Sequence, residues 1–250
     1  MSEFLTIKNL HKYFGRLAAL QDISFSVNRG EVVGLIGPNG AGKTTLFNVI
    51  TGFYRASSGQ ISFKGRDVTQ FPPNKLAEMG MIRTFQIPRP FKELTVYDNV
   101  AVGTLFNPNR INQTQASTEE FIEKILKRVK LTPFKNQPAG VLGYGNLKLL
   151  ELGRAQGPLP ELLLLDEPFA GLTINEIESV SEILQELSAG GLTLIIVEHK
   201  LRELMKLVKR IVVLHHGEKI ADGIPKDVSR NEQVLKAYLG RRWSAPNAGN

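Results

Sequence analysis

The stretch EVVGLIGPNGAGKTT, residues 31–45, decides the fold. Its first half is an apolar run, Val32 to Ile36, with the length of a buried strand. Its second half, Gly37-Pro38-Asn39-Gly40-Ala41-Gly42-Lys43-Thr44, has the spacing of a phosphate-binding loop. Glycines let the backbone fold tightly enough for successive N–H groups to point inward at phosphate oxygens. The helix that follows, residues 43–51, adds its positive end. Lys43 can then reach the β- and γ-phosphates, the hydroxyl of Thr44 can ligate magnesium, and Thr45 extends the same cradle. A strand, a glycine loop and a helix in this order predict a nucleotide-binding α/β core.

Working outward, strands and helices alternate over much of the chain, which predicts a largely parallel sheet. The first segment differs. Phe4 to Leu10, Ile23 to Val27 and Ile61 to Phe63 read as short strands of an antiparallel sheet. From about Ile87 to Gly157 the pattern is helical, at roughly residues 95–105, 119–130 and 146–156, with no convincing strand. Residues 107–117 (NPNRINQTQAS) are polar and read as an exposed connection. From Glu161 the alternation resumes: strand 162–166, helix 175–188, strand 192–197, helix 200–208, strand 210–214. The expected organisation is one domain over 1–240. Its α/β core with the antiparallel subdomain takes 1–86 and 158–240, an inserted helical subdomain takes 87–157, and 241–250 forms a frayed tail.

Composition bounds the rest. The 250 residues are 42% hydrophobic and 22% charged, as expected of a globular domain with a sizeable core. No apolar run approaches the 18 or so residues needed to span a bilayer, and MSEFLTIKNL lacks the pattern of a signal peptide. The expectation is a cytoplasmic protein without membrane insertion of its own. The absence of cysteine removes disulfides and thiol chemistry. The net charge of +7 is spread along the chain, apart from residues 127–130 and Arg241-Arg242, and reads as a solvated lysine excess.

Two further strand ends carry chemistry. In residues 161–168, ELLLLDEP, four leucines make a fully buried strand, so Asp166 emerges at its carboxyl end, where α/β folds bind ligands. Beside a phosphate loop, Asp166 is the expected partner of magnesium, and Glu167 stands where a carboxylate could orient or activate water. His199 ends the apolar run 194–197 on the same rim and is expected to touch the γ-phosphate. His11, His215 and His216 read as ordinary surface or turn residues.

Taken in order, the phosphate loop, Gln86 in a strand-end TFQ, Leu142-Gly143-Tyr144-Gly145-Asn146, LLLLDEP, Ala170-Gly171-Leu172-Thr173 and Val197-Glu198-His199 resemble the ATPases of ABC transporters. The resemblance runs from Phe4 to about Gly240, and within the family it is greatest to the branched-chain amino-acid importers. It implies a P-loop NTPase fold, ATP and Mg2+ as cofactors, and Mg-dependent hydrolysis that energises transport. The implied partners are a second ATPase subunit (self or paralogue) and transmembrane permease subunits that hold the chain at the inner face of the membrane. The implied cargo is an amino acid, with urea or lipid as alternatives. Phe14 matches the aromatic that stacks on adenine, with Tyr13 as the fallback. Gln86 matches the glutamine that touches magnesium and the attacking water. Gly143, Tyr144, Gly145 and Asn146 match the signature that acts on the opposite subunit's ATP.

The signature departs from its consensus, Leu-Ser-Gly-Gly-Gln. Gly143 lacks the serine hydroxyl, Asn146 replaces glutamine, and Gly143 is expected to loosen the loop. Thr173 stands where many members carry Asp or Asn, and Lys200 where Asp is frequent. These changes fall on what the chain offers its partner's ATP, which leaves an asymmetric heterodimer open. They also support an alternative, an ATP-dependent dimerisation partner that hydrolyses weakly. A soluble ABC-type ATPase acting on nucleic acid would usually need a second cassette or a long coiled-coil insertion, so direct nucleic-acid binding is not expected.

Overall fold

The computed structural model describes residues 3–107 and 114–239. Residues 108–113 of the expected polar connection, the basic pair Arg241-Arg242 and the expected tail lie outside the described residues.

The chain opens with the hairpin β1 (Leu5–Phe14) and β2 (Leu17–Val27), turning at Gly15. The phosphate-loop strand β3 (Val32–Ile36) leads into helix α1 (Lys43–Ile50), followed by β4 (Ser58–Phe63), β5 (Arg66–Asp67), α2 (Pro73–Glu78) and β6 (Met81–Arg83). The described elements between β6 and β7 are then helical: α3 (Val96–Thr104), α4 (Gln115–Arg128), two single 3-10 turns and α5 (Tyr144–Gln156). The alternation resumes with β7 (Leu162–Asp166), α6 (Ile174–Ala189), β8 (Thr193–Val197), α7 (Leu201–Leu207), β9 (Arg210–His215) and β10 (Glu218–Gly223). The short helices α8 (Pro225–Val228) and α9 (Glu232–Leu239) follow.

Two sheets result. Strands β2-β1-β4-β5 form an antiparallel sheet, and β10-β9-β3-β8-β7-β6 form a sheet that is parallel except at its β10 edge. The early strands are longer than the alternating pattern suggested. Polar residues such as Lys12, which pairs with Leu20 between two shifts of register, continue the hairpin, where backbone bonding rather than burial holds them. β7 explains why the four leucines are consecutive. Leu163 and Leu165 pack into the helical core beside Leu194 and Ile196, whereas Leu162 and Leu164 face the antiparallel sheet beside Ile195 and Val197. Both faces of this sheet are covered, so alternation disappears. Each leucine is fully buried, worth about 1.5–3 kcal/mol apiece.

This packing positions the site. β3 lies between β8 and β9, β8 pairs with β7, and all four run parallel, so their carboxyl ends share one rim. Among the described residues, no helix is long and apolar enough to cross a membrane.

Candidate nucleotide site

The phosphate loop leaves β3 at Ile36 and enters α1 at Lys43 with no side-chain cap, so its first-turn amides are left for an anion. Gly42 makes this turn possible: its φ is 100°, and a Cβ there would stand 2.9 Å from the Ala19 carbonyl oxygen. Lys43 is 6% exposed, and its ammonium donates to the carbonyls of Gly37 at 2.7 Å and Pro38 at 3.0 Å. Burial pushes its pKa down, against the pull of Glu167 and Asp166. The loop's own carbonyls therefore satisfy this buried cation.

A cleft of about 650 Å³ opens over this loop. Asn39, Gly40, Ala41, Gly42, Lys43, Thr44 and Thr45 line it, and Glu167 and His199 face it from the ends of β7 and β8. The structure thus brings together most of the residues expected at the phosphate end. Pro38 lies beside the cleft and meets Lys43, while Gly37 is buried beneath. At the far end Phe14 lines the cleft and Tyr13 does not. Tyr13 stacks instead on His11, whereas Phe14 is held edge-on by Tyr54 at 5.3 Å, with the Lys12 ammonium 4.8 Å over its ring. His216 is the exposed turn residue expected and also lines the cleft. Its φ of 48° carries the chain from β9 past Gly217 to the loop.

Glu167 is the most constrained residue of the site. Its φ of 49° puts a glutamate in the left-handed region, a strain of order 1–3 kcal/mol that only its surroundings can enforce. Its N–H donates to the Val197 carbonyl at 2.9 Å. The Gln86 amide donates to one carboxylate oxygen at 2.7 Å, and His199 Nε2 stands 3.2 Å from the other. Gln86 itself is not at a strand end: β6 stops at Arg83, and Gln86 lies on the exposed run beyond it.

Asp166 departs most from expectation. It does not line the cleft; its carboxylate accepts from Arg83 Nη2 at 2.7 Å, with both side chains almost wholly buried. A carboxylate 5% exposed needs a balancing charge, and the neighbouring strand supplies one.

The signature residues Tyr144, Gly145 and Asn146 form the first turn of α5, with Gly143 as its N-cap. This corrects the expected start at 146; Gly143 itself has ordinary extended angles, φ −64° and ψ 159°. A Cβ on Gly145 would stand 2.0 Å from Glu176 Oε1, so any side chain there displaces the end of the Glu176 side chain. Thr173 makes a capping box with that same Glu176 at the start of α6, and Lys200 donates to the Leu172 carbonyl. Tyr144 packs where Gly171 has no side chain.

Several residues escaped the sequence reading. On α5, Lys148, Glu151 and Arg154 recur every three residues on one face and hold the backbone that contains Gln86. Lys148 donates to the Gln86 carbonyl at 2.6 Å and to the Glu167 carbonyl at 3.3 Å. Glu151 accepts from the Phe85 amide at 2.8 Å, and Arg154 donates to the Arg89 carbonyl at 2.6 Å. Burial pushes the Lys148 pKa down and the Glu151 pKa up. Glu198, 3% exposed, accepts from the amides of Phe169, His199 and Lys200, which fixes the backbone around His199. From α9, Tyr238 meets the Gly37 amide.

A sequence profile of the family described as "ABC transporter" matches residues 20–170. The chain is 38% identical to a probable branched-chain amino acid transport ATP-binding protein LivG of Methanocaldococcus jannaschii, over 95% of this chain and 98% of that one. The chain belongs to the ABC transporter family. A second profile, "Branched-chain amino acid ATP-binding cassette transporter", matches residues 218–243 of this ABC protein. It is 37% identical to the high-affinity branched-chain amino acid transport ATP-binding protein BraF of Pseudomonas aeruginosa, over 94% of this chain and 97% of that one. The ADP conformation of an ATP-binding cassette of an ABC transporter superposes with a TM-score of 0.85 at 36% identity, covering 96% of this chain and all of that one. This ABC protein is therefore an ATP-binding, ATP-hydrolysing transporter subunit with the P-loop NTPase fold.

Proposed function

We propose that this chain energises a branched-chain amino-acid importer, as one half of an ATP-closed dimer held beneath permease subunits at the inner face of the membrane. The observation that carries the catalytic part is Glu167, strained into the left-handed region and gripped from opposite sides by Gln86 and His199. That arrangement suits a base that must hold one water in line with a γ-phosphate. Glu167 takes a proton from the water as its oxygen bonds to the γ-phosphorus, and the bond to the β-phosphate oxygen breaks. Lys43 exchanges its carbonyl partners for phosphate oxygens, loop amides balance the developing charge, and Phe14 stacks on the base.

The oxygen donors available suit magnesium, which prefers a few protein oxygens together with phosphates and water. They are the Thr44 hydroxyl, the Asp166 carboxylate and the amide oxygen of Gln86, whose amide nitrogen alone is committed to Glu167. When bound, the ion neutralises charge on the transferred phosphoryl group.

The signature of each subunit would meet the ATP of the other. Gly143 offers no hydroxyl, but nothing lies within 4 Å of where its Cβ would stand, so serine fits without strain. One added hydrogen bond to a charged phosphate is worth about 1.5–3 kcal/mol. Gly143→Ser with Asn146→Gln is expected to raise turnover of the purified chain about tenfold, read as phosphate release. Serine should also cap α5 and stabilise the chain by a few tenths of a kcal/mol. Unchanged turnover would mean that a paralogue with its own signature, not a second copy, completes the site.

The names of the relatives and the match at residues 218–243 support the cargo. A strain lacking the chain should lose most high-affinity uptake of labelled leucine, isoleucine and valine. Normal uptake of all three, with loss of urea or lipid uptake, would overturn the cargo but not the ATPase.

A further inference from the structure

Arg83 ends the edge strand β6 and turns its side chain inward, 6% exposed, beneath the nucleotide rim. One guanidinium nitrogen donates to Asp166 Oδ2 and another to the Asn48 side chain on α1, while Nε is buried without a hydrogen-bond partner. The cation lies 5.7, 5.8 and 5.2 Å from the ring centres of Phe47, Phe53 and Phe85. Phe47 is fully buried. Phe53 and Phe85 meet edge to face at 5.8 Å and are half exposed, closing over the guanidinium from outside.

A strut joining β6 to β7 needs no charge, because the backbone ladder already does that from Met81 to Arg83. A buried guanidinium with an unused donor is costly to keep. Its position accounts for the cost: Asp166 is buried, and the Arg83 guanidinium sits against its carboxylate at 2.7 Å. A metal ion arriving at the same carboxylate meets this resident cation at short range, and like charges repel most strongly where water is excluded.

We propose that Arg83 is a positioning residue, an internal counter-cation of Asp166 that lowers and so sets the magnesium affinity of the nucleotide site. The Phe53–Phe85 pair keeps water from the outer side of the guanidinium and so strengthens its hold on Asp166. The proposal rests on the reading of Asp166 as a magnesium partner.

The test is a magnesium titration of fluorescent ADP binding to the full chain, with a parallel titration in chelator. In Arg83→Met, half-saturating magnesium should fall about tenfold, while affinity in chelator changes less than about twofold. Its nucleotide-free melting temperature should drop and recover in Arg83→Met/Asp166→Asn. Arg83→Lys keeps a cation and should stay within about threefold of the parent. Phe53→Ala/Phe85→Ala, which leaves the ion pair in place, should lower half-saturating magnesium about threefold by letting water reach the guanidinium. Unchanged or higher half-saturating magnesium in Arg83→Met overturns the proposal and leaves Arg83 a structural strut. Should Arg83→Met not fold, an unshifted Phe53→Ala/Phe85→Ala titration overturns it equally. Failure of the parent chain to bind ADP in either condition would instead sink the nucleotide-site reading beneath it.

Discussion

Replacing Glu167 by glutamine is expected to lower ATP turnover about a thousandfold while ATP affinity stays within about threefold. Proton acceptance by a positioned carboxylate contributes typically 10²–10⁴, and glutamine keeps the shape of glutamate but cannot take a proton. Its amide oxygen can still accept from Gln86, whose nitrogen now lies 2.7 Å from the carboxylate, so the site should hold its geometry. Removing the negative charge also relieves repulsion with the γ-phosphate. The variant should therefore accumulate in the ATP-closed dimer, visible as an early peak on a sizing column run with ATP. Turnover within tenfold of the parent would show that the proton goes elsewhere.

Lys43→Met should act on binding instead, weakening ATP affinity about 100- to 1,000-fold by calorimetric titration. The ammonium can make charge-assisted bonds to two phosphates, each worth about 1.5–3 kcal/mol. The nucleotide-free chain should barely notice the change. Methionine leaves the Gly37 and Pro38 carbonyls without their donor, but it also removes a charge whose burial already depresses its pKa. These effects oppose each other, so a melting shift of only about 2–3 °C is expected. An ATP affinity unchanged by the substitution would mean that the loop amides alone hold the phosphates.

Residues that announce a phosphate site do so through backbone and burial, and both are visible in sequence. The glycines of 37–42 and the apolar runs of β3, β7 and β8 place Lys43, Asp166, Glu167 and His199 on one rim before any coordinate is known. The elements that went unread are short or lie at edges. β5 is Arg66–Asp67, β6 has three residues, and β10 is a half-buried antiparallel edge whose polar pattern looks like a loop.

The unread site residues have a different cause. Arg83, Lys148, Glu151 and Glu198 are charges that a sequence assigns to the surface, and only packing shows that each satisfies a buried partner. One signal was available. Lys148, Glu151 and Arg154 recur at three-residue spacing on a helix whose other residues are largely apolar, which marks a polar face turned toward backbone rather than water. The stacking choice between Tyr13 and Phe14 was equally beyond periodicity. It depends on the register of the hairpin, where Phe14 pairs with Leu17 at the mouth of the cleft.

The most direct test of the account is phosphate release by the purified chain in excess ATP, followed as magnesium is raised from none to saturation. Release should be absent without magnesium, rise to a plateau, and disappear in Glu167→Gln. ATP bound tightly at every magnesium concentration with no phosphate released, even in the Gly143→Ser/Asn146→Gln variant with its signature restored, would contradict it.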